Sequence, residues 1–189
     1  MKKIGYILLL FICVLLLSAC SDEQQPENII KPFSFTNQEG EAFGNDHLNG
    51  KIWIADFIFT NCETVCLPMT ANMADLQQKF KADGIQVEFV SFTVDPTVDS
   101  PEILKEYVDV FTDDLSNWHL LTGYSQEQIE VFAREQFQTI VQKPASSNQV
   151  IHSSNFYLID QQGALINEYN YIDASYIDDM TKDIESLLK

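Results

Sequence analysis

Two cysteines separated by three residues stand in the segment Thr60-Asn61-Cys62-Glu63-Thr64-Val65-Cys66-Leu67-Pro68. The segment falls between an apolar run and a helical pattern, so both thiols lie near a helix N-terminus. Partial positive charge there favours thiolate, and thiolate is both the nucleophile and the metal ligand. Disulfide-exchange proteins usually carry two residues between their cysteines, so this wider spacing invites a second reading. Two soft thiolates can hold Cu(I), whereas Cu(II) prefers sites that add nitrogen or oxygen donors. A third donor would have to come from His47, His119 or His152. A purely structural disulfide is the plainer alternative, but closing so short a loop constrains the unfolded chain by only about 2 kcal/mol. On a regular helix the two Cα atoms lie roughly 6 Å apart, towards the upper end of bridging range, so such a bridge would be readily reduced.

The compartment follows from the N-terminus. Met1-Lys2-Lys3 precedes an apolar stretch from Ile4 to Leu17, which is 14 residues long. About 20 are needed to span a bilayer as a helix, so the pattern is that of a secretory signal. The stretch ends in Leu17-Ser18-Ala19-Cys20, which resembles a bacterial lipobox. That resemblance implies a signal peptide over 1–19, a diacylglyceryl group on Cys20, and stable attachment to the outer face of the cell membrane. Cys13 leaves with the signal and Cys20 carries the lipid, which leaves Cys62 and Cys66 as the thiols of an oxidising compartment.

The chain has 189 residues, 28 acids, 11 bases and a net charge of −17. Removing the two leading lysines makes the processed chain −19. That acidity excludes ordinary nucleic-acid binding and opposes adsorption to an anionic membrane, so the lipid must do the tethering. Arg134 is the only arginine, which excludes any mechanism built on several arginine clamps. At 46% hydrophobic and 12% aromatic, the chain can build one domain with an ample core.

The elements that must position the thiols read clearly. Residues 20–31 form a polar tether, and the domain runs over 32–189. Phe33 to Phe35 and Ala42-Phe43 flank a turn at Gly40 and predict a hairpin. Ile52 to Phe59 is a nearly continuous apolar run and predicts a buried strand. Met69, Met73, Leu76 and Phe80 recur at helical spacing, which predicts a helix from about Glu63 to Lys81, stopped by Gly84. The two methionines read as core rather than as soft ligands. Val87 to Val94 predicts a second buried strand. Ser100-Pro101 opens a helix through Phe111, Trp118 to Leu121 is a short strand, and Ser125 with Gln128 forms a capping box. After the polar loop Lys143 to Asn148, a hairpin turns at Asp160–Gly163, and a helix runs from about Ser175 to Leu188.

Alternating strands and helices require right-handed crossovers and a sheet with parallel strands, here ending in an antiparallel hairpin. The expected fold is α/β and thioredoxin-like: a central mixed sheet flanked by helices, with an extra N-terminal hairpin. His47 falls in a polar loop and reads as a surface residue. His119, within Trp-His-Leu-Leu, reads as an alternating or core position. His152 immediately precedes the strand Phe156–Ile159. In a thioredoxin-like domain that position faces the thiol pair and usually holds a proline, so a histidine there can complete a Cys62, Cys66, His152 site.

Three blocks in order now resemble the Sco/SenC family: Thr60-Asn61-Cys62-Glu63-Thr64-Val65-Cys66, then Val94-Asp95-Pro96-Thr97-Val98-Asp99-Ser100-Pro101, then Val150-Ile151-His152-Ser153. The resemblance implies a membrane-tethered, thioredoxin-like metallochaperone that binds copper, as Cu(I) or Cu(II), through Cys62, Cys66 and His152. It also implies that the copper goes to the CuA centre of cytochrome c oxidase subunit II. Leu67 separates Cys66 from Pro68, where the family commonly has proline directly after the second cysteine. Ser100 stands where threonine is frequent. Asp95 and Asp99 either shape the copper site or turn the chain and cap the next helix.

Other activities compete. A thiol–disulfide oxidoreductase acting on the subunit II cysteines would use Cys62 as attacking thiol and Cys66 as resolving thiol. A peroxiredoxin-like peroxidase is disfavoured, because Ala55 and Phe59 occupy the positions of its proline and threonine and Arg134 lies far off in sequence. Structural zinc suits the same three donors.

Overall fold

A computed structural model describes residues 28–189; the expected signal peptide, Cys20 and the first part of the tether lie outside the described residues. The N-terminal hairpin forms as expected from β1 (Ser34–Thr36) and β2 (Ala42–Gly44). Gly40 at its turn takes φ +79°, a left-handed value that favours glycine. A single helical turn, α1 (Asn45–Leu48), leads into β3 (Trp53–Ile58).

Every residue of β3 is buried, because it is the central strand of a five-stranded sheet. The helix α2 (Cys66–Ala82) follows, then β4 (Glu88–Thr93), α3 (Pro101–Val108) and β5 (Trp118–Leu121). The remainder is α4 (Gln126–Gln136), β6 (Asn155–Ile159), β7 (Leu165–Asn170) and α5 (Tyr176–Leu187). The sheet order is β5-β4-β3-β6-β7. Strands β3, β4 and β5 run parallel, while β6 is antiparallel to β3 and β7 to β6. This is the mixed, thioredoxin-like sheet with helices on its faces. The hairpin packs beside it through paired backbone bonds between Thr36 and Thr122, at 2.9 and 2.8 Å.

The sequence signals for the starts of two helices hold in detail, although α3 ends at Val108 rather than Phe111. Ser100 accepts the Ile103 N–H with Pro101 in the first turn of α3, and Ser125 and Gln128 cap α4 reciprocally. Two further expectations need correction. Helix α2 starts at Cys66 rather than near Glu63. Pro68 explains why: it has no N–H and its ring collides with a carbonyl four residues back, so it fits only within a first turn. Residues 60–65 are therefore left as an irregular turn. The tether also ends sooner than Lys31. Ile30 is buried, its N–H bonds Gly163 C=O at 2.8 Å, and Leu165 N–H returns to Asn28 C=O at 2.9 Å. The Lys31 N–H donates to Gln136 Oε1. Residues 28–31 thus strap the domain along the β7 edge, held by these backbone bonds and by burial of Ile30, while Ile29 stays exposed.

The topology sets where chemistry can occur. Parallel β3 and β4 point their C-terminal ends the same way, and antiparallel β6 begins beside the end of β3. Three irregular segments meet there: the cysteine turn after β3, the loop after β4, and the chain entering β6. Sites in open α/β sheets gather at such strand ends.

Candidate metal centre

Cys62 lies in the irregular turn and Cys66 is the first residue of α2. His152 comes from the far side of the sheet order, on the chain entering β6. The three donor atoms all lie within 4.8 Å of one another. Cys66 Sγ is 3.2 Å from His152 Nε2. Both cysteines are free thiols and buried, at 8% and 1% exposure, while His152 is half-buried. The site therefore opens on the imidazole side.

The imidazole is oriented by its other nitrogen. His152 Nδ1 lies 2.8 Å from Ser153 C=O, and a carbonyl only accepts, so Nδ1 carries the hydrogen. That leaves Nε2 facing the sulfurs, where it can offer its lone pair to a metal or, when it carries a proton, donate to the Cys62 thiolate. Phe59 presses its ring edge-on against the imidazole, with centroids 5.6 Å apart. Two thiols and one such nitrogen make a soft donor set that fits Cu(I) and, through the imidazole, also accommodates Cu(II).

The thiols are not equivalent. Burial opposes ionisation of Cys62, but hydrogen bonds with His152 and Cys66, and with the backbone at Thr64 and Cys66, outweigh it and bring this thiol down to about 5. Burial pushes Cys66 the other way, well above the ordinary thiol range, reinforced by the Cys62 thiolate and by Asp56. Cys62 is the thiolate and Cys66 the retained thiol.

The other candidates sort as follows. Asp99 belongs to the site's scaffold: its carboxylate accepts the Thr60 N–H at 3.2 Å, the Thr60 hydroxyl at 2.6 Å, and the Thr93 hydroxyl. It does not cap α3, since Ser100 does. Asp95 C=O turns the chain by accepting the N–H groups of Val98 and Asp99. Its carboxylate takes the Lys143 ammonium at 2.5 Å and so ties the loop after β4 to the segment that carries His152. Met69 and Met73 are fully buried core residues of α2, as the periodicity predicts. His47 and His119 stack on opposite sides of Phe43, at 4.8 and 3.9 Å, and neither joins the thiol group. Arg134 stands in the last turn of α4.

Two residues escaped the sequence reading. Asp56 lies within β3 at 0% exposure, and neither carboxylate oxygen finds a hydrogen-bond partner among the described residues. Burial raises its acid to about 7, eased by Ser91 and the nearby His152. Its signal was a lone acid in an otherwise apolar strand run. Gln149 was hidden in a polar loop; its side chain bonds Asn61 and Glu63, on either side of Cys62.

The comparisons agree with this fold. The solved structure of a SCO1/SenC family lipoprotein from Bacillus anthracis is 50% identical and superposes with a TM-score of 0.83, covering 88% of this chain and 99% of that one. BsSco, described as a member of the Sco family of cytochrome c oxidase assembly proteins with a disulfide switch, is 46% identical with a TM-score of 0.77 over 87% and 96%. Arabidopsis thaliana ScoI, solved with copper bound, is 27% identical with a TM-score of 0.69 over 85% and 98%. A family model described as SCO1/SenC matches residues 21–189, and on that match the chain belongs to the SCO1/SenC family.

Proposed function

We propose that this chain is a membrane-tethered copper chaperone for the CuA centre of cytochrome c oxidase subunit II, with Cys62, Cys66 and His152 as copper ligands. The observation that carries the reading is the convergence of two thiols and a correctly oriented imidazole within 4.8 Å. Copper is cargo here, and the residues act on it in distinct ways. The Cys62 thiolate offers the first donor, and Cys66 gives up its proton as the second forms. His152 supplies the third donor from a separate chain segment, so the site can open without unfolding α2. The copper-bound state of the Arabidopsis relative supports this, as does the oxidase-assembly role of BsSco. No helix among the described residues is long and apolar enough to cross a membrane. A lipid on Cys20 would then hold the domain on the extracytoplasmic side of the bacterial cell membrane.

The inequality of the two thiols favours a second role, reduction of the subunit II cysteines before metal arrives. The Cys62 thiolate attacks one sulfur of the partner disulfide, forming a mixed disulfide and releasing one partner thiolate. Cys66 Sγ then passes its proton to His152 Nε2, 3.2 Å away, and attacks the Cys62 sulfur. The second partner thiolate leaves, two electrons have passed to the partner, and Cys62–Cys66 is the disulfide that remains.

Titrating the reduced protein with one equivalent of Cu(II) tests the first role. Wild type is expected to show a stoichiometric thiolate-to-copper charge-transfer band that His152→Ala abolishes. High-affinity binding retained in His152→Ala would overturn the three-ligand site. Rapid oxidation of wild type to the disulfide, with no copper retained, would move the weight to the reductase.

A further inference from the structure

The thiols and the imidazole belong to segments with no regular structure in common, so something must hold them in register. Residues 60–65 form the irregular turn that Pro68 imposes. Residues 143–150 form a loop whose base is closed by paired backbone bonds between Gln142 and Ile151, both 2.9 Å. His152 follows that closure directly.

One side chain spans the gap. Gln149 Nε2 donates to Asn61 C=O at 3.0 Å, and Gln149 Oε1 accepts the Glu63 N–H at 3.3 Å. The two contacts fall on the residues before and after Cys62, so the amide brackets that cysteine by its backbone. Among the described residues, apart from the contacts of His152 with the two thiols, the hydrogen bonds joining 60–66 to 142–153 are these two. The Gln149 N–H is itself fixed by Ser147 Oγ at 3.0 Å, which aims the side chain across the gap.

We propose that Gln149 is a positioning residue, a latch that sets the approach of His152 to Cys62 and thereby the rate at which the site opens to release its cargo. The inference rests on the metal-site reading given above. The amide suits the task because it donates and accepts at once and meets one backbone group of each kind. It is also half-buried, so water competes for both bonds and the latch can be broken without unfolding the domain.

Gln149→Met keeps the side chain's length and removes both hydrogen bonds. In the full-length chain in detergent, loaded with Cu(I), bathocuproine disulfonate should strip copper about tenfold faster from this variant than from wild type, two modest hydrogen bonds being lost. Without metal, the ring-to-ring NOE between His152 and Phe59 should weaken in Gln149→Met, as the imidazole drifts from its place beside the thiols.

An unchanged stripping rate, or an unchanged His152–Phe59 NOE, would each overturn the latch. So would a large fall in thermal midpoint in Gln149→Met, which would mark a role in the fold instead. If wild type takes up no Cu(I), the chaperone reading falls, and the metal-free NOE still decides the latch.

Discussion

Asp99 binds Thr60 twice: its carboxylate accepts both the Thr60 N–H, at 3.2 Å, and the Thr60 hydroxyl, at 2.6 Å. The two residues lie 39 apart in sequence, Thr60 just past the end of β3 and Asp99 in the loop that follows the parallel strand β4. The Thr93 hydroxyl completes the group, so one buried carboxylate pins the start of the cysteine turn to the loop after β4. The pin is what lets a turn without secondary structure keep Cys62 in place.

Removing it should therefore damage stability and the site together. Asp99→Ala is expected to lower unfolding stability by about 3 kcal/mol, since hydrogen bonds to a charged group are lost and the Thr60 and Thr93 hydroxyls lose their acceptor. A denaturant midpoint measures that loss. Copper titration of the folded variant should show a weaker charge-transfer band, because the turn loses its anchor. A variant as stable as wild type would show that the pin is idle.

Asp56 makes a pH prediction of definite sign. Its acid is raised from 3.8 in the unfolded chain to about 7 in the fold. Between those values the folded state holds a proton that the unfolded state has lost, so this group's contribution to stability declines as pH rises from about 4 to about 7 and is level above. Asp56→Asn removes the decline. The variant should match wild type near pH 4 and exceed it at pH 8, by at most on the order of 4 kcal/mol. Cys62, whose acid is lowered, contributes in the opposite sense between about 5 and 9, and comparison with wild type cancels it. Urea unfolding at several pH values checks this; a variant less stable than wild type at pH 8 would refute it.

The two thiols should also part company in reactivity. At pH 6 Cys62 is largely thiolate, while Cys66 stays protonated under burial and its neighbour's charge. Brief exposure of the reduced protein to iodoacetamide should modify Cys62 first, with Cys66 lagging by more than about tenfold. Peptide mass mapping over time reads the order directly, and equal rates would remove the basis for assigning Cys62 as the attacking group.

The sequence alone determined what depends on neighbours along the chain. The apolar run around β3, the capping box of α4 and the Ser100-Pro101 start of α3 are local signals, and each appears where it was read. Cys62 and Cys66 were legible as a pair for the same reason, since only four steps of chain separate them. Even the late start of α2 was written locally, in Pro68. His152 required the fold class as well, because its position before a strand means nothing until that strand is laid against β3.

Tertiary structure decided everything that rests on long-range pairing. His152 reaches Cys66 across 86 residues because β6 runs antiparallel to β3 and begins where β3 ends. Gln149 finds the backbone beside Cys62 across a similar span, and nothing in a polar loop announces such a contact. Ile29 and Ile30 were assigned to a tether by the polar residues before them, and a strand edge claims them instead. Asp56 stands out in the sequence as an odd acid, but its consequence depends on having no hydrogen-bond partner once the sheet closes around it. A local pattern fixes which backbone conformation a segment prefers, whereas distances between distant segments exist only after the strand order has been chosen by burying their common core.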